Sequence, residues 1–168
     1  DQPKGIADAL IIGQDFIQED NIALILGDNI FYGSSLSGQL LEAHENNNNS
    51  IFCTNVENRS DFGILEIDKK NKVKQIVEKP KNSLSNLAVT GLYFYNNKVI
   101  DFAKKLKPSL RGELEITDIN NYYLQRNKVK IIKLYRGTLW LDTGTFENLH
   151  QCSSIIYSIE KNTKLMVG

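Results

Sequence analysis

The chain has 168 residues, with Lys+Arg and Asp+Glu at 20 each and a formal net charge of zero. That length suits one domain with a core of its own, and the balanced charge points away from nucleic acid and membrane surfaces as partners. A hydrophobic fraction of 41% with only short apolar runs excludes a membrane-spanning helix.

Cys53 and Cys152 form neither a CxxC pair nor a disulfide framework, so both read as buried thiols in a reducing compartment. His44 and His150 fall in polar stretches of predicted helix and read as surface positions. No signal-peptide pattern is visible, so a cytoplasmic protein is expected. A start at Asp1 instead of Met raises the expectation of an internal piece of a longer protein.

In chain order, Ile6, Ala9, Leu10 and Ile12 recur at helical spacing between Gly5 and Gly13. Residues 21–26 are a near-continuous apolar run and read as a parallel strand covered on both faces. Ser34 or Ser35 caps a helix through Leu36, Leu40, Leu41 and Ala43, ended by the asparagine run 46–49. Residues 51–56 predict a strand, and 63–68 with 72–78 predict a hairpin joined by Lys69-Lys70-Asn71 and stopped by Pro80. Residues 87–95 predict another strand, with Gly91 inside it as a sign of close approach by backbone or ligand. Helices are predicted over 99–106 and 114–124, the second packing through Ile116, Ile119, Tyr123 and Leu124. Short strands follow at 129–134 and 139–141, and Thr145 caps an amphipathic helix carrying Leu149, Cys152, Ile155, Ile156 and Ile159. The alternation predicts an α/β fold, a mixed and mostly parallel sheet with flanking helices.

Open α/β sheets bind ligands outside the carboxyl ends of their strands, which singles out polar residues that follow apolar runs. Asp28 follows Leu24-Ile25-Leu26-Gly27, and Asp142 follows Trp140-Leu141 at a helix start. Each alone reads equally as a turn or cap aspartate, but together they can share one Mg2+, an ion that prefers oxygen and bridges to phosphates. Glu78-Lys79-Pro80 closes a strand with an acid for a sugar hydroxyl and a cation for a phosphate, or forms an ordinary turn. Arg111-Gly112-Glu113 offers a guanidinium matched to phosphate geometry, or a surface loop. Neither GxGxxG nor GxxxxGK[ST] is present. The combination suits a small phosphorylated substrate.

The run from Leu24 to Gly33 closely resembles the glucose-1-phosphate thymidylyltransferases, a branch of the sugar nucleotidylyltransferase family. So do Val77-Glu78-Lys79-Pro80, the strand 88–95, the stretch 106–120 and Trp140-Leu141-Asp142-Thr143-Gly144-Thr145, in matching order over essentially the whole chain. The resemblance implies a nucleotide-diphospho-sugar transferase (Rossmann-like) fold and the joining of dTTP to glucose 1-phosphate, giving dTDP-glucose and pyrophosphate for dTDP-rhamnose and surface polysaccharide. It implies Asp28 and Asp142 as Mg2+ ligands, and Lys79 and Arg111 as contacts to the sugar phosphate. Gly63, Glu78, Val89, Tyr93 and Glu113 fall on hexose-pocket positions, and Gly5 and Ile6 on the segment that meets the base. The alternatives are a uridylyltransferase or other hexose-1-phosphate nucleotidylyltransferase, and a non-catalytic fragment or assembly partner.

Phe62 stands where the family carries Tyr, and Ile6-Ala7-Asp8 replaces the usual Leu-Ala-Gln. The family's opening GGxGTRLxPxT loop is not in this sequence. Residues 1–168 therefore read as the central and C-terminal part of the domain, incomplete at the N-terminus. Negligible turnover by the isolated chain is expected, with self-association through an open sheet edge.

Overall fold

The computed structural model describes residues 4–45, 49–70 and 72–167. Its elements run α1 (Ile6–Ile12), α2 (Gln14–Ile17), β1 (Ile22–Ile25), β2 (Asn29–Tyr32), α3 (Leu36–Glu45), β3 (Asn49–Asn55), β4 (Gly63–Ile67), β5 (Val73–Glu78), β6 (Leu87–Tyr95), α4 (Val99–Ala103), α5 (Ile116–Gln125), β7 (Val129–Lys133), β8 (Leu139–Asp142) and α6 (Phe146–Thr163). The asparagines expected to end α3, at 46–48, and Asn71 of the hairpin connection lie outside the described residues.

Strand β6 organises the main sheet, whose order is β5-β4-β6-β3-β7 with β1 also paired to β6. Its residues are apolar, β-branched or aromatic, and nearly all are buried. β3 lies antiparallel along one whole edge, from Ser50 opposite Phe94 to Asn55 opposite Leu87. The other edge is divided, with β4 meeting Ala88 through Ile64 and β1 pairing with residues 92–95. Between the pairs Ile51–Tyr93 and Cys53–Val89, β6 uses more residues than β3, a bulge around Gly91. Gly91 has φ +69°. The Leu26 N–H donates to its carbonyl at 3.1 Å, and a Cβ on Gly91 would sit 2.8 Å from Cδ1 of Leu26. The mid-strand glycine thus marks the close approach expected of it.

Three expectations are corrected. The sheet is mixed but mostly antiparallel: among the described residues only β3 and β7 pair in parallel. An apolar run signals burial and carries no direction, so it cannot tell a parallel core strand from an antiparallel one. β1 is not covered on both faces; its burial alternates along the strand and Ile25 is 54% exposed. β2, unforeseen as a strand, pairs antiparallel with β8 in a separate ribbon. Its four residues follow a Gly-Asp turn and are too few to show a period.

Alternate residues of the strands feed two cores. Ile51, Cys53, Val89, Tyr93 and Tyr95 face α1, α4 and α5, where Leu10, Val99, Ile116, Ile119 and Tyr123 are buried. Phe52, Leu92 and Ile132 face Ala43 of α3, with Phe31 and Trp140 of the β2–β8 ribbon packed alongside. Each large side chain buried this way contributes on the order of 1.5–3 kcal/mol. The predicted α5 stripe is largely buried, with Leu124 half-covered, while α6 buries only Cys152 fully and leaves Leu149 about half exposed. Thr145 caps α6 as expected, accepting from the Asn148 N–H at 3.1 Å. Both cysteines are free and buried, and burial pushes the Cys53 thiol up to about 12 against the opposing charge of Lys133. His44 and His150 are exposed. No helix among the described residues is long and apolar enough to cross a membrane.

Gly91→Ala is expected to lower stability by about 1–3 kcal/mol, from the positive φ and the collision with Leu26. A urea titration reads this as a lower midpoint. A wild-type midpoint would show that neither constraint operates.

Candidate functional site

Where β6 hands its edge from β4 to β1, a cleft of about 260 Å³ opens. Val89, Gly91 and Tyr93, on one face of β6, form its floor. Burial and then the nearby charge of Glu78 push the Tyr93 hydroxyl well above the ordinary tyrosine range, so it stays protonated.

The β4–β5 hairpin supplies one wall. Gly63 lies opposite Glu78 in the register, and a Cβ on Gly63 would come within 3.3 Å of Oε2 of Glu78. That oxygen also accepts from the Thr117 hydroxyl at 2.7 Å. Lys79 follows with φ 44°, its N–H donating to the Phe62 carbonyl at 3.0 Å. The facing wall is the loop into α5. Arg111 Nε and Nη2 donate to Glu115 Oε1 at 3.1 and 2.9 Å, and Nη2 donates to Oε2 at 2.8 Å. Nη2 is also 3.5 Å from Glu113 and 3.7 Å from Glu78. Burial acts to raise the Glu115 carboxyl, but the hydrogen bonds from Arg111 and Ser109 outweigh it and hold the group below the ordinary range.

The β2–β8 ribbon closes the third side. Asn29 is paired with Asp142, and both the N–H and the hydroxyl of Thr143 donate to the Asp28 carbonyl, at 2.7 and 2.9 Å. This staple sets the two aspartates side by side. The position a Cβ on Gly144 would occupy is 3.0 Å from Oδ1 of Asp142 and 3.4 Å from Oδ2 of Asp28, so the oxygens are no farther apart than those lengths combined. Trp140 Nε1 donates to Asn29 Oδ1 at 2.6 Å, and the Phe62 ring meets Trp140 edge-on at 5.1 Å. Phe62, where a hydroxyl was expected to be lost, therefore has a packing partner of its own.

Among the described residues no three His, Cys, Asp or Glu side chains form a ready-made metal cluster. Asp28 and Asp142 together offer the hard oxygen donors Mg2+ takes, an ion commonly held by one or two carboxylates with water and phosphate completing its shell.

Of the residues singled out in the sequence, Ile6, Gly63, Glu78, Lys79, Val89, Tyr93, Arg111, Glu113 and Asp142 all line the cleft. Asp28 lies outside the lining; its Oδ1 accepts from the Asn29 side-chain amide at 2.7 Å, and its Oδ2 and Oδ1 of Asp142 both lie near Gly144. Gly5 lies outside the lining, next to Ile6; it caps the start of α1 with φ +100°, and a Cβ there would meet the Leu114 carbonyl at 2.6 Å. Sequence reasoning assigned no role to Asn29, Glu115, Thr117 or Trp140, which also line the cleft, as does Phe62. Two of them left a signal: Trp140 shares a strand face with Asp142 at period two, and Glu115 stands four residues after Arg111.

The chain matches the nucleotidyl transferase family over residues 1–158. It is 45% identical over 167 residues to the glucose-1-phosphate thymidylyltransferase of Neisseria meningitidis serogroup A / serotype 4A, matching 99% of this chain and 58% of that protein. It is 47% identical over 167 residues to that of Mycolicibacterium smegmatis, again over 99% and 58%. A Bacillus anthracis structure, described as a glucose-1-phosphate thymidylyltransferase in complex with a sucrose, superposes with TM-score 0.79 at 38% identity, over 92% of this chain and 62% of that one. A UDP-glucose pyrophosphorylase complexed with UDP-glucose superposes with TM-score 0.81 at 23% identity, over 94% and 64%, a likeness of fold. The chain thus spans 58% of the length of these curated relatives.

The lowered carboxyl of Glu115 has a consequence for stability. A carboxylate whose folded pKa is depressed stabilises the fold above its unfolded pKa, and that contribution is lost as pH falls through the folded value. Unfolding free energy is therefore expected to drop as pH falls below the ordinary 4.5, and to drop less in Glu115→Gln. Urea titrations at stepped pH check this. Identical pH dependence in the two proteins would contradict it.

Proposed function

The chain belongs to the nucleotidyl transferase family, and from that premise we propose that it takes part in thymidylyl transfer from dTTP to glucose 1-phosphate, giving dTDP-glucose and pyrophosphate. The observation that carries this reading is the convergence of Lys79 and Arg111 with Glu78 and Asp142 around one cleft. Two cations suit the phosphate of a sugar phosphate, and an acid beside them suits a sugar hydroxyl. The thymidylyltransferases to which the chain is 45% and 47% identical support the same substrates. The product would serve dTDP-sugar synthesis such as that of dTDP-rhamnose, in the cytoplasm. The second edge of β1, without a strand partner among the described residues, would favour self-association.

In this reading the phosphate of glucose 1-phosphate lies against Lys79 and Arg111. Glu78, braced by Thr117, receives a hexose hydroxyl, with Gly63, Val89, Tyr93 and Glu113 shaping the pocket and Ile6 reaching the base. A phosphate oxygen attacks the α-phosphorus of dTTP; the new P–O bond forms as the bond to pyrophosphate breaks. The attacking oxygen is already anionic at neutral pH, so no general base is needed, and alignment with charge neutralisation carries the rate. Asp28 and Asp142 would hold Mg2+, which when bound neutralises charge on the phosphates.

The test is pyrophosphate release from dTTP and glucose 1-phosphate with Mg2+, alongside calorimetric binding of glucose 1-phosphate. In a version extended upstream by the glycine-rich loop, release abolished by EDTA and lowered about 10²–10³-fold by Asp142→Asn is expected. Lys79→Ala should weaken glucose 1-phosphate binding by about tenfold. Release indifferent to Asp142, or no binding of glucose 1-phosphate, would overturn the reading.

A further inference from the structure

We propose that Glu115 is a positioning residue, which sets the guanidinium of Arg111 toward the substrate phosphate without touching the substrate itself. The proposal rests on the reading of the cleft as a sugar-phosphate site.

The carboxylate is much better shielded than its partner, with side-chain exposures of 13% for Glu115 and 43% for Arg111. It takes the Nε and Nη2 side of the guanidinium, which is the side-on pairing that fixes the plane of the group. Arginine otherwise loses much rotamer freedom when it closes on an anion, and a partner that orders it beforehand removes that cost from binding. Nη1 takes no part in the Glu115 contact, which leaves the outer edge of the guanidinium for a second anion.

Glu115 is itself anchored from several directions. It is the N-cap residue of α5, so its backbone is tied to a helix that packs on the sheet. The Ser109 hydroxyl donates to the same Oε1 at 2.7 Å. Ser109 also closes the loop around Arg111: its N–H donates to the Glu113 carbonyl at 2.8 Å, its carbonyl accepts from Gly112 at 2.9 Å, and its Oγ accepts from the Arg111 N–H at 3.2 Å. Arg111 is thus held by backbone and by side chain to one short segment. The contacts of Nη2 to Glu113 and Glu78 are longer, at 3.5 and 3.7 Å, and more exposed on the Glu113 side, so an arriving phosphate can displace or share them while the Glu115 pair stays.

The sign of one substitution separates this role from a bystander charge. Removing a carboxylate beside a phosphate site would, by Coulomb attraction alone, tighten anion binding. Loss of positioning weakens it. Binding of glucose 1-phosphate to the whole chain should therefore fall in the order wild type, Glu115→Gln, Glu115→Ala. The Gln variant keeps an acceptor and should lose about threefold, the Ala variant about tenfold. Arg111→Ala should weaken binding about tenfold or more, and adding Glu115→Gln to it should cause no further loss, because Glu115 acts only through Arg111. A thermal melt and circular dichroism of each variant report folding, and the near-isosteric Gln variant keeps the test decisive if Ala fails to fold. Tighter binding in Glu115→Gln, or an equal loss from Glu115→Gln in the Arg111→Ala background, overturns the proposal while leaving the cleft reading in place. Unchanged binding in Arg111→Ala takes down both.

Discussion

The bulge of β6 at Gly91 is the constraint from which the site follows. A strand has two edges, and β6 gives one entirely to β3 while dividing the other between β4 and β1. The division leaves a gap in the sheet, and the gap is the cleft, floored by Val89, Gly91 and Tyr93. Without a side chain at 91, Leu26 seats against the bulge and the chain leaves β1 by a turn that opens β2. The acid of that turn, Asp28, is thereby delivered to the same place as the end of β8.

The ribbon of β2 and β8 then does what sequence distance alone could not. Its register opposes Asn29 to Asp142, and Thr143 fastens the Asp28 backbone with two hydrogen bonds. Two carboxylates brought to one place supply the oxygen donors that a divalent cation takes. Across the cleft, Lys79 and Arg111 stand among three acids, Glu78, Glu113 and Glu115. The two cations are what that side offers a phosphate, and the acids around Arg111 hold it in place.

Local patterns recovered most elements because their cause is local. The α5 stripe, the hairpin of β4 and β5, and the Thr145 cap each depend on neighbours within a few residues. Strand direction depends on what β6 pairs with, and an apolar run carries no record of that. For the same reason β1 read as a covered core strand; among the described residues it has one strand partner, β6, and Ile25 is exposed. The logic of strand ends found Asp28, Lys79 and Asp142, since each follows a run that stops. Thr117 escaped it because its partner, Glu78, lies 39 residues away and the pair exists only in the fold.

In the function proposed, Asp28 and Asp142 hold one cation beside the cleft. The most direct measurement is paramagnetic broadening of backbone amide signals by Mn2+, a carboxylate-seeking stand-in for Mg2+, with glucose 1-phosphate present. The amides of Asn29, Thr143 and Gly144 should vanish first and together, and excess Mg2+ should restore them. Broadening centred instead on acids elsewhere on the surface, such as Asp68 or Asp101, with Asn29 and Thr143 sharp, would contradict the claim.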